Sequence, residues 1–206
     1  ERKRVIIVGV NKETEFTVEE FYESIDSQRK TKIKKTVRDA IEYLPKFKPL
    51  KEPYKNGRKN VSHELIGDLE ITHHITRYNN KRDIDVFKYW LSDSMNSAPY
   101  DEKIEFYKKI TGKTTKHNKY RSLEWDKPSP TVVSHLYKDG LMFIHPDIKQ
   151  LRSITVREAA LLQSFPKDYV FIGSDSYCYK MIGNAVPVLF AKSIALALIE
   201  VLEKNK

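Results

Sequence analysis

The sequence is poor in residues that form crosslinks and metal sites. Only one of its 206 residues is a cysteine, Cys178, so neither an internal disulfide nor a cysteine-based zinc site can form within the chain. The histidines show no His-Glu-x-x-His or other ligand spacing, and we expect no metal. They are His63, His73, His74, His117, His135 and His145.

Long apolar runs are also lacking. The longest near the end, Val186 to Ile199, is interrupted by Lys192 and Ser193 and is shorter than a membrane span. The first residues also lack the pattern of a signal peptide, and we expect none. These features predict a soluble cytosolic protein with no membrane partner.

Positive charge, by contrast, is abundant. Lys+Arg 37 against Asp+Glu 28 gives a formal net charge of +9, which favours a polyanionic partner, with nucleic acid as the first candidate. A merely basic soluble protein is the alternative until the charge is localised. A hydrophobic content of 40% with 11% aromatic residues indicates a folded chain.

The most informative local signal is a short helix that begins near Thr155. Thr155 and Glu158 stand three residues apart ahead of an apolar run, which is the spacing of a capping box. Phe165-Pro166 closes the helix, because a residue before proline avoids the helical region. On this stretch alone, an ordinary capped helix explains the pattern equally well.

Periodicity predicts the remaining elements. Apolar spacing indicates helices over residues 17–27, 36–41, 81–91, 103–110 and from Pro187 to about Glu203. The last of these is apolar around most of its circumference, which predicts burial between layers. Val5 to Val10 predicts a buried strand, and Tyr169 to Ile172 a strand or extended piece followed by a loop at 173–176.

Two further segments have less regular patterns. Residues 46–60 are rich in lysine and contain Pro49, Pro53 and Gly57, which predicts a boundary loop whose charges form a solvated face. Thr131–His135 and Leu141–Ile144 flank a turn and predict a strand pair.

The loop from Gly112 to Arg121 is a candidate for nucleic-acid contact. It interleaves cations with hydrogen-bonding side chains, and this mixture can hold phosphates and reach base edges. The candidate DNA-binding residues are Lys116, Asn118 and Arg121.

Three separated motifs resemble one family, the DNA (cytosine-5) methyltransferases of bacterial restriction-modification systems. Residues 152–166 read Arg-x-Ile-Thr-x-Arg-Glu-Ala-x-x-x-Gln-x-Phe-Pro, like the family's ninth motif, and residues 183–187 read Gly-Asn-Ala-Val-Pro, like its tenth. Arg2-x-Arg4 before an apolar run resembles the end of its eighth motif, Gln-x-Arg-x-Arg. The order of the three motifs is also that of the family.

The resemblance implies an α/β (mixed) fold: the C-terminal part of a Rossmann-like methyltransferase domain plus a small α+β target-recognition domain. It places the end part of the catalytic domain at residues 1–45 and the recognition domain at 46–150. Residues 151–206 then hold the last two motifs and a terminal helix that returns to the catalytic domain. The implied reaction transfers a methyl group from S-adenosylmethionine to C5 of a flipped cytosine in duplex DNA, and flipping is needed because the ring is unreachable in the stack.

Residue roles follow from the same resemblance. Arg4 matches the arginine that hydrogen-bonds the flipped cytosine, with Arg2 as a supporting cation, although without the resemblance both would be assigned to phosphate or surface contacts. The remaining implied roles are methyl-donor binding by Asn184, Ala185 and Val186, DNA contact by Thr131, Val132 and Arg152, and bracing between domains by Arg157 and Glu158, with Arg152 as a plausible partner in that brace.

The sequence departs from the family where the chemistry is concentrated. It contains no Phe-x-Gly-x-Gly turn, no Pro-Cys nucleophile and no Glu-Asn-Val glutamate, and Cys178 follows a tyrosine, so we interpret it as a structural thiol. Leu161 stands where many members have a basic residue, and Val188 where a second proline is common. We therefore expect inactivity without a second polypeptide or a missing N-terminal portion. A non-catalytic DNA-binding module and, less favoured, a tRNA methyltransferase are the alternatives.

Overall fold

A computed structural model describes residues 7–11, 13, 16–30, 34–68 and 71–204. Over these residues the chain mixes helices with one antiparallel strand pair, which agrees with the α/β (mixed) expectation at that level. In chain order the elements are α1 (Val18–Lys30), α2 (Val37–Ile41), β1 (Lys46–Asn56), β2 (Lys59–Ile66), α3 (Lys81–Ser92), α4 (Tyr100–Thr111), a 3-10 helix (Ser134–Tyr137), α5 (Val156–Leu162), α6 (Asp175–Asn184) and α7 (Val188–Lys204).

The apolar side chains gather in three clusters. The central core joins α2, the 3-10 helix, α5 and α6, and includes Ile154 and Ile182, which are both 0% exposed. A second core lies under α3 and α4 around Trp90 and Tyr120. The α1–α7 pair forms the third, around Phe21 and Ala197. The central core draws residues from both sides of the proposed boundaries at 45 and 151.

The helix that begins after Thr155 is confirmed. The Thr155 hydroxyl accepts the Glu158 N–H at 3.2 Å, and the Glu158 carboxylate accepts the Thr155 N–H at 2.7 Å, so the capping box is complete. The helix ends at Leu162, ahead of the expected stop. The predicted helices at α1, α2, α3, α4 and α7 are also confirmed, and Thr36 caps α2 with a second capping box.

The predicted loop at residues 46–60 is wrong. Strands β1 and β2 pair across this region, with Lys46 opposite Ile66 and Asn56 opposite Lys59. The two turn residues are Gly57 and Arg58, and Gly57 has φ 59°, a positive value that favours glycine at the first central position of a hairpin turn. The prolines did not prevent pairing: a register irregularity lies between Pro49 and Tyr54.

The predicted strand pair at residues 131–135 and 141–144 is also wrong. The first segment leads into the 3-10 helix, which places both Val132 and Leu136 in the central core. In the second, Ile144 makes single bridges to Ser122 and Ser153 instead of a ladder. The alternation over four or five residues was too short to distinguish a strand from a turn of helix.

Both ends of the chain differ from expectation. Residues 5–6 of the predicted strand lie outside the described residues, and residues 7–10 are irregular, with Ile7 91% exposed. Helix α7 is not buried between layers, because α1 covers only one of its sides and Leu189 stays 55% exposed. Residues 173–176 are not only a loop: Ser174 caps α6, a helix that the sequence analysis missed.

Candidate functional site

A fully buried ion pair lies at the start of α5. The Arg152 guanidinium donates to both oxygens of the Glu158 carboxylate, at 2.7 and 2.6 Å, and the two residues are 0% and 1% exposed. Burial alone would raise the pKa of Glu158, but the Arg152 charge outweighs it and holds that pKa well below its usual value. The expected contact between Arg152 and DNA does not agree with this burial, because the guanidinium has no exposed surface.

The ion pair is tied to the β1–β2 hairpin through a shared glutamine. The Gln150 carbonyl oxygen accepts from Arg152 Nε at 3.0 Å and from the backbone N–H of Phe47 at 3.1 Å. The Arg152 guanidinium also lies 5.0 Å from the centre of the Phe47 ring. A hairpin that is distant in sequence is thereby fixed to the ninth-motif region.

Two buried histidines surround the ion pair in a neutral state. Burial, and then the Arg152 charge, lower the pKa of His145 to about 3 and that of His63 to about 4. His145 Nε2 lies 3.6 Å from the Glu158 carboxylate, and its Nδ1 accepts the Asp147 N–H at 3.2 Å. Both imidazoles are therefore neutral near pH 7 and take part through hydrogen bonds and packing.

Arg157 holds the other side of α5. Its guanidinium donates to the backbone oxygens of Thr72 at 2.9 Å and Tyr169 at 2.8 Å, and to the Thr72 hydroxyl at 2.7 Å. The side chain is buried, so every contact is to protein. Arg157 thus joins a segment of residues 46–150 to a segment of residues 151–206.

The end of α5 anchors the Asn184–Val186 turn. Gln163 Nε2 donates to the Ile182 oxygen at 3.0 Å, and the Gln163 oxygen accepts the Val188 N–H at 3.2 Å. Ser164, held at φ 60°, accepts the Leu189 N–H at 3.0 Å. The turn between α6 and α7 is therefore fixed by hydrogen bonds from the ninth-motif region.

A glycine next to this turn brings a third segment close. A Cβ on Gly183 would lie 2.3 Å from the Ser134 nitrogen and the Val133 carbonyl carbon, which no real contact allows. Only glycine lets α6 approach this backbone so closely. The structure thereby places the Thr131–Val133 stretch beside the tenth-motif turn, which the sequence separates by about fifty residues.

The predicted donor-binding residues lie on the surface. Asn184 and Val186 are exposed and Ala185 is partly exposed, so the turn presents a small-residue surface to its outside. Of the predicted recognition pair, Thr131 is partly exposed, whereas the Val132 side chain is only 2% exposed and belongs to the central core. A DNA contact by the Val132 side chain does not agree with that position.

The DNA-binding residues predicted in the 112–121 loop differ in exposure and in hydrogen bonding. Lys116 and Arg121 are exposed. Asn118 is partly exposed, and its amide donates to the Tyr120 backbone oxygen at 2.7 Å and accepts the Tyr120 N–H at 3.2 Å, so it shapes the loop. Arg2 and Arg4 lie outside the described residues.

Sequence reasoning missed several residues of this site. Gln163 and Gly183 stand inside the quoted motifs, which is the signal that would have found them. His63, His145 and Gln150 have no comparable signal, because their roles arise only when distant segments pack together. No group of His, Cys, Asp or Glu able to hold a metal ion occurs among the described residues.

The α6–α7 stretch combines length with low polarity. Asp175–Lys204 is long and apolar enough to cross a membrane by those criteria alone. However, the extended backbone at Ala185 separates the two helices. One such stretch is weak evidence for a membrane span.

Comparison with known proteins finds relatives that are all type II methyltransferases, some longer and one shorter than this chain. Type II methyltransferase M.Bpa9945I of Bacillus paralicheniformis is 33% identical over 98% of the chain and 48% of its own length. M.AgeI of Thalassovita gelatinovora is 51% identical over 38% of the chain and 18% of its own length. The chain therefore spans about half the length, or less, of these relatives.

A third relative is short. Type II methyltransferase M.AquIB of Picosynechococcus sp. is 45% identical over 92 residues, which cover 39% of the chain and 63% of M.AquIB. That proportion makes M.AquIB shorter than this chain. The family profile described as C-5 cytosine-specific DNA methylase matches residues 1–200. The chain thus belongs to the C-5 cytosine-specific DNA methylase family.

Proposed function

We propose that this chain is the C-terminal portion or subunit of a DNA (cytosine-5) methyltransferase that acts in the bacterial cytoplasm. In this proposal residues 1–45 close the Rossmann-like catalytic domain, 46–150 form the recognition domain, and 151–206 carry the ninth and tenth motifs. The observation that carries the proposal is the close approach of Gly183 to Val133 and Ser134. This approach supports the proposal because it brings the segment after the proposed recognition pair next to the proposed donor turn.

The methyl donor of this family is S-adenosylmethionine, and the Asn184–Val186 turn fits one wall of its site. The turn is exposed, its side chains are small or polar, and the backbone is held by Gln163 and Ser164. Asn184 offers an amide that can donate and accept hydrogen bonds. When bound, the donor supplies an electrophilic methyl group; the role of this turn is to hold and orient it.

Arg4 and Arg2 complete the part of the active site that this chain supplies. In the proposal the Arg4 guanidinium donates to the carbonyl oxygen of the flipped cytosine and stabilises the charge that develops as a thiolate adds to C6. Arg2 reinforces that field. The thiolate belongs to the other portion, because Cys178 is 0% exposed and burial raises its pKa.

The brace positions the two parts of the site. Glu158 and Arg152 fix the hairpin and α5, while Arg157 fixes the segment at Thr72. All three side chains are buried, so they act on DNA only through the segments that they hold. In the proposal, Thr131, Lys116 and Arg121 remain the DNA-contacting residues of this chain.

In the proposal, the second polypeptide or N-terminal portion that carries the thiolate, which we call the front portion, covers the outer stripe of α7. Leu189, Leu196 and Ile199, which we call the outer stripe, lie on one face of that helix and are 55%, 42% and 49% exposed. Large apolar side chains left exposed on one face of a helix favour an interface, and Lys192 lies on the same face. The greater length of M.Bpa9945I and the short length of M.AquIB support a front portion that is either fused or separate.

The test begins with the native protein from the cells that produce it. Its intact mass and any copurifying polypeptide decide between a fused and a separate front portion. The assembly is then given labelled S-adenosylmethionine and duplex DNA, and we expect label on cytosine C5. Arg4→Lys should retain DNA binding and lose at least about tenfold in methyl transfer, because the planar guanidinium fork is lost.

A matched control is Lys3→Arg, which changes a neighbouring cation and should leave methyl transfer unchanged. Sequence-specific DNA binding without any methyl transfer by the native assembly would replace this proposal with the non-catalytic DNA-binding module. Transfer to tRNA but not to duplex DNA would also contradict it.

A further inference from the structure

The tip of the β1–β2 hairpin carries positive charge to which the proposed function assigns no role. Residues 51–60, which we call the arm, are all exposed. Four of them are cations and one is an acid: Lys51, Glu52, Lys55, Arg58 and Lys59. Tyr54 adds a ring that is 55% exposed. No hydrophobic cluster of the described residues includes any part of the arm.

The base of the arm is firmly held. Phe47 and His63 are buried, and the Ser62 hydroxyl accepts the Asn79 N–H at 3.0 Å. His63 Nε2 lies 3.3 Å from the Leu151 oxygen, next to the Arg152–Glu158 pair. The base of the hairpin is therefore anchored to the segments at Asn79 and Leu151.

A bend lies between base and tip. The register shifts between the Pro49–His63 pair and the Tyr54–Val61 pair, so that residues 50–53 oppose Ser62 alone. Such bulges bend a strand and increase its twist. Pairing resumes beyond the bulge as far as Asn56–Lys59, so the arm is a two-stranded ribbon and not a loose loop.

A cationic cleft borders the tip of the arm, where Lys59 and Asn60 follow the turn. A cavity of about 470 Å³ is lined by Lys59, Arg77 and Lys138, with Asp175 as its one acid among the described residues. Arg77 Nη2 donates to the Leu136 oxygen at 2.7 Å, but its buried Nη1 has no hydrogen-bond partner. The cleft reaches the 3-10 helix that follows the Thr131 segment.

We propose that the arm is a DNA-binding ribbon, with Lys55, Arg58 and Lys59 on the phosphates that border a groove. A two-stranded ribbon fits the major groove, which is about 12 Å wide. Lysine and arginine on phosphates release counterions, and this favours binding at low salt. The inference rests on the proposed function, since it assigns a new contact to the DNA substrate.

The test measures the salt dependence of DNA binding by the native assembly. The probe is a mixed-sequence duplex of about 30 base pairs, since phosphate contacts are independent of sequence. The variant Lys55→Gln/Arg58→Gln/Lys59→Gln should bind about 10- to 100-fold more weakly at low salt. Its slope of log K against log salt should be shallower by up to about 2.7, at about 0.9 for each lost contact.

The control removes the same charge elsewhere. Lys88→Gln/Lys108→Gln/Lys109→Gln changes three exposed lysines of α3 and α4, and its slope should equal that of the wild type. A slope for the arm variant equal to that of the control variant would overturn the DNA contact proposed for the arm. Methyl transfer, and so the proposed function, would remain intact. A wild-type assembly that binds no duplex and transfers no methyl group would overturn both.

Discussion

The central core and the α1–α7 pair contain similar apolar residues but bury them to different extents. In the central core Ile154 and Ile182 are 0% exposed, and even the charges of Arg152 and Glu158 are fully paired. In the α1–α7 pair, Ala197 and Val201 are buried, but Leu196 and Ile199 on the opposite face are 42% and 49% exposed. The apolar side chains named for the central core are buried, whereas the α1–α7 pair buries only one face of α7.

This difference separates two kinds of information in the chain. The central core holds Val132 and Ile182 in one buried cluster, and so fixes the proposed recognition segment next to the tenth-motif turn. The outer stripe of α7 has the composition of a core helix without the neighbours of one. Its missing contacts indicate where the rest of the proposed methyltransferase belongs.

The largest expected effect comes from breaking the buried ion pair. Glu158→Gln leaves the Arg152 charge buried without a partner, and we expect a loss of about 3–5 kcal/mol in the free energy of unfolding, measured by urea denaturation. The control is Glu42→Gln, whose partner Arg38 is exposed, and which should cost less than about 1 kcal/mol. Similar costs for both variants would contradict the account of the central core.

The next effect comes from adding one methyl group at the closest approach. Gly183→Ala places a Cβ against the Val133–Ser134 backbone, and we expect a loss of about 3 kcal/mol in the free energy of unfolding. Gly9→Ala is the control, since nothing lies within 4 Å of its Cβ position. A Gly183→Ala protein as stable as wild type would show that the two segments do not meet.

Acid should weaken the central core before it affects the α1–α7 pair. The pKa values of His145 and His63 are depressed to about 3 and about 4, so the unfolded chain binds protons first as the pH falls below about 6.5. The free energy of unfolding should therefore fall by about 2 kcal/mol from pH 7 to pH 5.5.

His145→Gln should make this pH dependence shallower, whereas His117→Gln, at an exposed position, should not. Unfolding free energies that are the same at pH 7 and pH 5.5 would mean that these histidines are not buried as described. Glu158, with its lowered pKa, loses its contribution only at still lower pH, where its own carboxylate becomes protonated.

The smallest effect on the chain alone is expected at the outer stripe. Leu196→Gln should change the free energy of unfolding by less than about 0.5 kcal/mol, because the side chain is already half exposed. The same variant should weaken association with the front portion, which size-exclusion chromatography would detect. A large loss of stability in the isolated chain would show that this face is covered from within.

Local signals predicted the helices well and the long-range contacts poorly. The capping boxes at Thr36 and Thr155 and the periodicity of α3 and α4 are contained in a few adjacent residues, so the sequence sufficed. The pairing of Arg152 with Glu158 follows from motif spacing only in part, since Gln150, Phe47 and His145 reach the pair from distant segments.

The errors have physical causes. The hairpin at residues 46–66 was missed because Pro49 and Pro53 were given more weight than Gly57. The burial expected for α7 was wrong because, among the described residues, α1 covers only one side of the helix. For Arg152 the family resemblance implied both a DNA contact and a place in the brace, and its buried acidic partner Glu158 favours the brace.

Amide hydrogen exchange along α7 tests the central claim most directly. We expect the amides of α7 near Leu196 and Ile199 to exchange faster in the isolated chain than those of α5 and α6, and to slow at least about tenfold when the front portion binds. Amides of α5 and α6 should be protected in both states. Exchange in α7 that is already slow in the isolated chain, or unchanged in the native assembly, would contradict the account.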